Sequence, residues 1–330
     1  MPDESSPPTV TEVAAAAGVS AATVSRVLTG RVRVSTSARV SVHDAIAQLG
    51  YVRHRGPRRP DRLSSRLPVA ALVFEPTARL FHDTFSARLL AGAEEELTRH
   101  GIPLLTMSAT RGTIASATQF LTTGGVGGVL LLGGHSSHPL AVSLAASRVP
   151  LRASGRPVEG LDIPFVDVDN HDGARQAVEH LMLRGRRTIA TIAGPPDSPA
   201  AADRLDGYRR ALEAAGRAPA VACGDFTTAS GGHAAAWLLD RMPRLDALFV
   251  ASDAMAAGAL QALRKAGRRV PEDVAVVGFD DAPLASYTTP ALTTVRQPVS
   301  ELGAVAAALL LEGSPDCPVL PTELVVRASS

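Results

Sequence analysis

From Val69 onward, short apolar runs alternate with segments of helical periodicity. The first four runs are VAALVFEP (69–76), IPLLTMSA (102–109), GGVLLLGG (127–134) and PLRASG (150–155), and a second series comprises FVDVDN, TIATIAGP, LDALFVAS and VAVVGFDD. Runs of this length suit strands buried on both faces of a parallel sheet, with the helices between them covering those faces. Two such series predict an α/β body of two doubly wound lobes.

The same alternation predicts where a ligand binds. In open α/β sheets the ligand lies beyond the carboxyl ends of the strands, and two facing lobes form a cleft that a hinge can close. The candidates at strand ends or in loops are Glu75, Arg156, Asn170, Arg204, Phe226, Ser252 and Asp280. An arginine fork, a carboxylate and an aromatic ring suit a polyhydroxylated ligand. For Asn170 and Asp281 the alternative is that they only cap the next helix.

The first 66 residues differ from the body in charge. They hold ten arginines and five acidic residues, although the whole chain has a net charge of only +1. A small basic head on a mildly acidic body indicates a polyanion partner for the head, and a solubilising tail is the alternative.

Three short helices are predicted in this head. The stretch TVTE (9–12) fits a capping box, and Gly18 ends the helix that follows. Ser20 caps the second helix, SAATVSRVLTG, after a three-residue turn. This spacing predicts a helix-turn-helix, whose second helix lies in the major groove of DNA. The third predicted helix, TSARVSVHDAIAQL, begins after Ser35, and its expected packing face carries Val40, Ile46 and Leu49.

Residues 9–52 resemble the DNA-binding head of the lactose-repressor (LacI/GalR) family of bacterial transcription regulators. The shared pattern is T-x-x-x-VA-x-x-AGVS-x-x-TVSRVL-x-G. The resemblance implies that Ser20, Thr23 and Ser25 contact phosphates and that Arg26 contacts a base edge. Ala21 and Ala22 stand where operator preference is usually set, and small side chains there can touch a thymine methyl group. The complete set of DNA-binding candidates is Thr9, Ser20, Ala21, Ala22, Thr23, Ser25, Arg26, Thr29, Arg33, Tyr51 and Leu63.

The segment after the head departs from the family pattern. Family members have a hinge helix whose leucine enters the minor groove, but Pro60 stands at that position here, after Gly56 and Pro57. Proline and glycine exclude a helix across residues 53–59. Two interpretations remain open: a short helix over 60–67 with Leu63 as the wedge, or an unstructured basic linker that contacts only phosphates.

The resemblance continues through the body to TELVVRASS. The stretches VDVDNHDGARQAVEHL, FVASDAMAAGALQAL and DVAVVGFDDAPLA match the family's periplasmic-binding-protein-like module. The match implies effector-binding roles for Phe85, Arg156, Arg204, Phe226, Ser252 and Asp280, and Glu75 completes the set of seven candidates from its place at a strand end. It also implies a head at 1–54, a linker at 55–68 and a body at 69–330, with the N-lobe at 69–163 and 296–318 and the C-lobe at 164–295 and 319–330.

These observations predict a ligand-responsive transcription regulator, a repressor of a sugar-related operon that binds a palindromic operator as a homodimer. The alternative in the same family is a corepressor-type regulator that responds to a purine. An extracytoplasmic sugar-binding protein and an enzyme are the other classes considered. We expect no cofactor, metal, membrane span or catalysis, and a cytoplasmic, nucleoid-associated location. His135 and His138 lack a third metal ligand nearby in sequence.

Overall fold

The computed structural model describes residues 10–21, 23–24, 27, 35–49, 67–74, 84–108, 111–133, 139–158 and 160–330. The chain divides into two compact units, residues 1–61 and 62–330. No helix in the described ranges is both long enough and apolar enough to cross a membrane.

The first unit contains α1 (Val10–Ala16) and α2 (Thr36–Leu49), and residues 21, 23, 24 and 27 between them are helical. Gly18 has a positive φ of 64°, which lets the chain turn sharply after α1. Ser20 and Ser35 begin the second and third helices as predicted, because their hydroxyl oxygens accept hydrogen bonds from the backbone N–H groups of Thr23 and Ala38.

The packing face of α2 differs from the prediction. The buried core of the head contains Val13, Ala14, Val24, Val42 and Ala45, with Ile46 packed against it. Val40 and Leu49 are exposed, so their assignment to the packing face was wrong. Residues 42, 45 and 46 share one face at the helical spacing of three and four, whereas residue 40 lies about half a turn away from residue 42.

The second unit is built from twelve strands and eight helices in its described part. The strands are β1 (Val69–Val73), β2 (Leu104–Ser108), β3 (Gly128–Leu132), β4 (Leu151–Ser154), β5 (Phe165–Val168), β6 (Ile189–Ala193), β7 (Ala220–Cys223), β8 (Ala247–Val250), β9 (Ala275–Asp280), β10 (Thr293–Arg296), β11 (Val319–Leu320) and β12 (Glu323–Val325). The helices are α3 (Thr84–Arg99), α4 (Ile114–Thr122), α5 (Pro139–Ala145), α6 (Asn170–Leu183), α7 (Pro199–Ala214), α8 (Thr228–Arg241), α9 (Asp253–Lys265) and α10 (Val299–Glu312).

These strands form two six-stranded sheets, which confirms the predicted pair of doubly wound lobes. The N-lobe sheet has the order β11-β5-β4-β3-β1-β2, and the C-lobe sheet has the order β12-β10-β9-β8-β6-β7. All pairings are parallel except that between β10 and β12. Each sheet has a buried apolar cluster on both faces, and this explains why its central strands are apolar without alternation.

The chain crosses between the lobes three times, and the crossings correct the predicted boundaries. Strand β5 pairs with β4 in the N-lobe sheet, although residues 164–168 were assigned to the C-lobe. Strand β11 pairs with β5, so residues 319–320 also belong to the N-lobe sheet and not to the C-lobe. The crossings therefore lie at Asp169, at Gln297–Pro298 and at Pro321–Thr322.

Candidate ligand-binding cleft

A cavity of about 390 Å³ lies between the two lobes, at the carboxyl ends of the strands. This is the position predicted for a ligand in an open α/β sheet. Its walls are formed by Val73, Phe85, Ser86, Leu132, Gly133, Ser154, Gly155, Arg156, Asp167, Asn170, Ser198, Ala200, Arg204, Phe226, Thr227, Thr228, Ser252, Ala254, Asp280, Gln297 and Leu302.

Arg204 is a buried charged group in the cavity wall that several contacts hold in place. It extends from α7 and is only 5% exposed. Its Nε donates to Asn170 Oδ1 (2.8 Å), and its Nη1 donates to the carbonyl of Ala251 (2.6 Å) and approaches Asp280 Oδ1 (3.4 Å). The guanidinium carbon also lies 3.8 Å from the centre of the Phe279 ring. Burial lowers the pKa of Arg204, and the charge of Asp280 opposes this effect.

Asn170 positions Arg204 and does not cap α6. The helix cap is Asp169, whose carboxylate accepts the N–H of Asp172. The Asn170 amide donates to Asp167 Oδ1 and to the carbonyl of Val168, both at 3.2 Å, and its oxygen faces Arg204. The capping interpretation of Asn170 was therefore wrong. The same amide thus fixes a buried carboxylate and a buried guanidinium at adjacent positions.

Asp167 supplies a carboxylate that the sequence analysis did not single out. It accepts the backbone N–H of Arg156 at 3.0 Å and that of Val168 at 2.8 Å. Burial raises the pKa of Asp167, and these two hydrogen bonds oppose the increase. Asp167 lies on β5, so the assignment of β5 to the wrong lobe concealed its position in the cavity wall.

The loop after β9 adopts an unusual backbone conformation. Asp280 and Asp281 have φ values of 115° and 46°, a region that residues with a side chain seldom occupy. Gln297 donates its amide to Asp280 Oδ1 at 2.5 Å. Arg327 and Arg296 donate to the two carboxylate oxygens of Asp281 at 2.6 and 2.7 Å. Burial raises the pKa of Asp281, but the hydrogen bonds and charges of these two arginines outweigh burial and lower the pKa below its ordinary value.

A fully buried carboxyl group anchors this loop to α9. Asp253 accepts the N–H of Ala282 at 2.8 Å and the hydroxyl of Thr294 at 2.6 Å. Burial raises the pKa of Asp253 well above its ordinary value, and the charge of Asp280 raises it further. Positive φ values such as those of Asp280 and Asp281 cluster at functional sites, where the surrounding structure holds the backbone in place.

Two aromatic side chains face the cavity from opposite lobes. Phe85 lies at the start of α3, and Phe226 precedes α8 with a φ of 66°. Gly194 makes room for the Phe226 ring, since a Cβ at that position would lie 2.5 Å from Phe226 Cζ. The faces of these two aromatic rings can pack against the C–H face of a sugar.

Three helices of the C-lobe begin at the cavity. Their caps are Ser198, Thr227 and Ser252, whose side chains accept N–H groups of α7, α8 and α9. Ser252 was predicted to bind an effector; it lines the cavity, and its oxygen also accepts the N–H of Met255 at 3.3 Å. Helix N-termini carry partial positive charge, so this wall favours hydrogen-bond acceptors.

Two arginines of the N-lobe reach the C-lobe. Arg156 donates to both carboxylate oxygens of Asp203 on α7, at 2.5 and 2.6 Å. Arg88 on α3 donates to the backbone carbonyls of Asp281 (3.2 Å) and Asp280 (3.5 Å). Because both contacts join the lobes, they contribute to the free energy of cleft closure.

The structure brings together Phe85, Arg156, Arg204, Phe226, Ser252 and Asp280, six of the seven predicted effector-binding residues. The seventh, Glu75, lies outside the described residues. Ser154 and Gln297 also line the cavity and, like Asp167, were not among the predicted site residues, although Ser154 ends β4 and Gln297 follows β10. No group of three or more His, Cys, Asp or Glu side chains in the described part could hold a metal ion, and His135 and His138 lie outside that part.

Three of the DNA-binding candidates are described. Ser20 and Thr23 have hydroxyl oxygens 2.9 Å apart at the start of the second helix, and Ala21 is exposed beside them. Their contacts with DNA stay predictions. The remaining candidates lie outside the described residues: Thr9, Ala22, Ser25, Arg26, Thr29, Arg33, Tyr51 and Leu63.

The head and the body each match a known family. Residues 9–54 match the model of bacterial regulatory proteins of the lacI family, and residues 178–330 match that of a periplasmic binding protein-like domain. The transcriptional regulator CelR of Thermobifida fusca is 43% identical over 335 residues, with 98% of each chain covered. The chain belongs to the LacI family. It is therefore a ligand-responsive, DNA-binding transcriptional regulator, in a family of regulators and not of enzymes.

Solved structures of LacI-family proteins have the same fold. A complex of CelR with cellobiose matches with a TM-score of 0.75 and 41% identity, over 98% of this chain and all of the other. A lac repressor dimer bound to operator and the anti-inducer ONPF matches with a TM-score of 0.70 and 27% identity, over 98% and 99% of the two chains. The LacI-family fold thus extends over nearly the whole chain.

Proposed function

We propose that this LacI-family regulator is a repressor whose effector is a neutral sugar bound in the cleft. The observation that carries the proposal is the state of Arg204. Three of its contacts fix the guanidinium, yet its Nη2 group makes no hydrogen bond within the described part of the protein, and the residue lines the cavity. Nη2 remains available to donate to the vicinal hydroxyls of a sugar.

Charge balance in the cavity favours a neutral ligand. Arg204 lies against Asp280, and Arg156 is paired with Asp203, so neither guanidinium is an uncompensated cation. A phosphate or carboxylate ligand would have to displace one of these carboxylates. Polar side chains whose charges are paired within the protein, together with Phe85 and Phe226, suit a molecule with many hydroxyls and apolar ring faces.

The proposed effector and assembly agree with what is known of the relatives. The CelR structure contains cellobiose, and the lac repressor structure is a dimer bound to operator. We infer that this chain also binds a palindromic operator as a dimer in the nucleoid, because two heads are needed to match two half-sites. The effector acts by preferring one arrangement of the lobes, and a difference of about 1–3 kcal/mol is sufficient to change operator affinity measurably.

A thermal-shift screen tests the effector class. The purified full-length protein is heated with cellobiose, lactose, maltose, adenosine or guanine, and a ligand at about 100 times its Kd adds roughly 2.7 kcal/mol of stability. We expect a disaccharide to raise the Tm and the Arg204→Ala variant to lose that response. A response to purines alone would contradict the sugar proposal and favour the corepressor alternative.

Two further measurements complete the assignment. Operator fragments are titrated with and without the sugar that binds: release of DNA supports an inducible repressor, whereas tighter binding supports corepressor logic. We also propose that the cleft does not turn its ligand over. Incubated sugar should be recovered unchanged in its NMR spectrum, and the appearance of products would overturn this part of the proposal.

A further inference from the structure

The N-lobe wall of the cavity ends in a row of registered residues. Strands β4, β3 and β1 are neighbours, Ser154 pairs with Leu132, and Leu132 pairs with Val73. Registered residues of parallel strands place their side chains on the same face of the sheet. Leu302 of α10 adds to this wall, so Ser154 is a polar residue in an otherwise apolar row.

The Ser154 hydroxyl has no partner in the described part of the protein. The residue is 3% exposed, and its Oγ makes no hydrogen bond there. By contrast Arg156 and Asp167, the charged side chains that the N-lobe adds to the cavity wall, both have protein partners. A buried hydroxyl without a hydrogen bond costs stability, and alanine at this position would avoid that cost.

We propose that Ser154 is a specificity-determining residue of the effector site. Its hydroxyl bonds to a hydroxyl group at the end of the effector that enters the N-lobe, while the apolar face of that end rests on Val73, Leu132 and Leu302. The assignment rests on the proposed sugar response and adds a requirement to it: the inner end of the effector carries one hydrogen-bonding group directed at β4.

The site discriminates between ligands through the free-energy cost of leaving the buried Ser154 hydroxyl unpaired. A serine hydroxyl both donates and accepts, so it pairs with any sugar hydroxyl of suitable position. A ligand that presents only C–H groups there leaves the hydroxyl unpaired, and sites built to bind a hydroxyl reject analogues that lack it. The free protein therefore bears a cost that the correct effector removes.

The chain offers a matched control for this idea. Thr191 on β6 is also buried, at 1% exposure, and its Oγ1 also lacks a partner in the described part, but it does not line the cavity. Full-length wild type, Ser154→Ala and Thr191→Val are compared by the Tm of the ligand-free protein and by calorimetric titration with cellobiose, lactose and maltose. Both variants should keep or raise the ligand-free Tm, because each removes an unsatisfied hydroxyl.

Only Ser154→Ala should weaken binding, by about 3- to 10-fold, whereas Thr191→Val should leave the Kd unchanged. An unchanged Kd in Ser154→Ala, with wild type binding normally, overturns the assignment of Ser154 and leaves the sugar response intact. A ligand-free Tm that falls in Ser154→Ala also overturns it, since the hydroxyl would then have a structural partner. Failure of all three sugars to bind wild type overturns the sugar response and the assignment together.

Discussion

Arg156 and Asp203 form an ion pair across the cleft, in which a single guanidinium nitrogen lies 2.5 and 2.6 Å from the two carboxylate oxygens. Arg156 follows β4 of the N-lobe, and Asp203 lies on α7 of the C-lobe. The pair therefore contributes to the free energy of cleft closure and not to the folding of either lobe. Arg156 is 48% exposed, so solvent screens the interaction.

Removing this pair should favour the open cleft. We expect Arg156→Ala and Asp203→Ala to weaken effector binding, and a double-mutant cycle to give a coupling of about 0.2–1 kcal/mol. Small-angle scattering of the ligand-free protein should show a larger radius of gyration. The control is Arg175→Ala, which breaks a pair with Asp172 within α6 and should alter neither measurement. Equal effects of the two breaks would contradict a role in closure.

Replacing Arg204 by lysine tests geometry separately from charge. Lysine keeps the cation but cannot donate at once to Asn170, Ala251 and a ligand, so effector affinity should fall by at least about tenfold. Isothermal titration calorimetry measures the loss, and Arg210→Ala is the control, because Arg210 is exposed on the same helix. Wild-type affinity in Arg204→Lys would show that the guanidinium fork does not contact the effector.

The buried carboxyl of Asp253 predicts a pH dependence of stability. Its folded pKa is raised, so the native state binds the proton more tightly, and stability falls as the pH rises from about 3.9 through the folded pKa. A folded pKa that lies one pH unit above the unfolded pKa corresponds to about 1.4 kcal/mol of unfolding free energy.

Asp253→Asn removes this titration, and the new side chain can still bond to Ala282 and Thr294. The unfolding free energy of this variant minus that of wild type should therefore increase with pH across that window and stay constant above it, as urea melts at several pH values would show. Asp281 acts in the opposite sense, because its pKa is lowered and its contribution is lost as the pH falls. A difference independent of pH would mean that folding does not raise the pKa of Asp253.

Gly194→Ala should displace the Phe226 ring that lines the cleft. The new Cβ would lie 2.5 Å from Phe226 Cζ and 2.9 Å from Ala201 Cβ, so the ring must move. We expect effector affinity to fall by about 3- to 10-fold through loss of a ring contact worth roughly 0.5–1.5 kcal/mol, with the protein still folded. Gly112→Ala is the control, since a Cβ added there would have no atom within 4 Å. An unchanged affinity in Gly194→Ala would exclude Phe226 from the contact surface.

The sequence was sufficient to predict the two lobes and most of the cleft. Asp280 could be placed because strand ends converge in this fold, whatever the details of packing. Arg204 and Phe226 were placed by the family resemblance, and Arg204 lies on α7 and not in the loop that was expected. Asp167 could not be placed, because the sheet to which β5 belongs depends on where the chain crosses between lobes. The apolar pattern of β5 is the same in either sheet. Ser154 was missed for another reason: its strand was assigned to the correct lobe, but a serine at a strand end gives no sequence signal that its hydroxyl lacks a partner in the described part of the protein.

Sequence patterns also failed to predict elements and packing faces that are formed by small apolar residues. Strand β7 is half-buried at the edge of its sheet, and its four residues with short side chains, Ala220–Cys223, were not among the predicted strands. In α2 the buried positions include Ala45, a residue that does not mark a face by hydrophobicity alone, and Val40 suggested the wrong side. The conformations of Phe226, Asp280 and Asp281 also had no sequence signal, because positive φ at these residues is imposed by their neighbours.

The third crossing has a consequence for biosynthesis. Strand β12 completes the C-lobe sheet by pairing with β10, and the Ser329 hydroxyl donates to Val276 and accepts the N–H of Thr293. The C-lobe cannot finish folding until these residues leave the ribosome, whereas the DNA-reading head is translated first. A message truncated before Glu323 would therefore encode a head joined to an unfinished sensor, a product unable to respond to the effector that governs the full-length regulator.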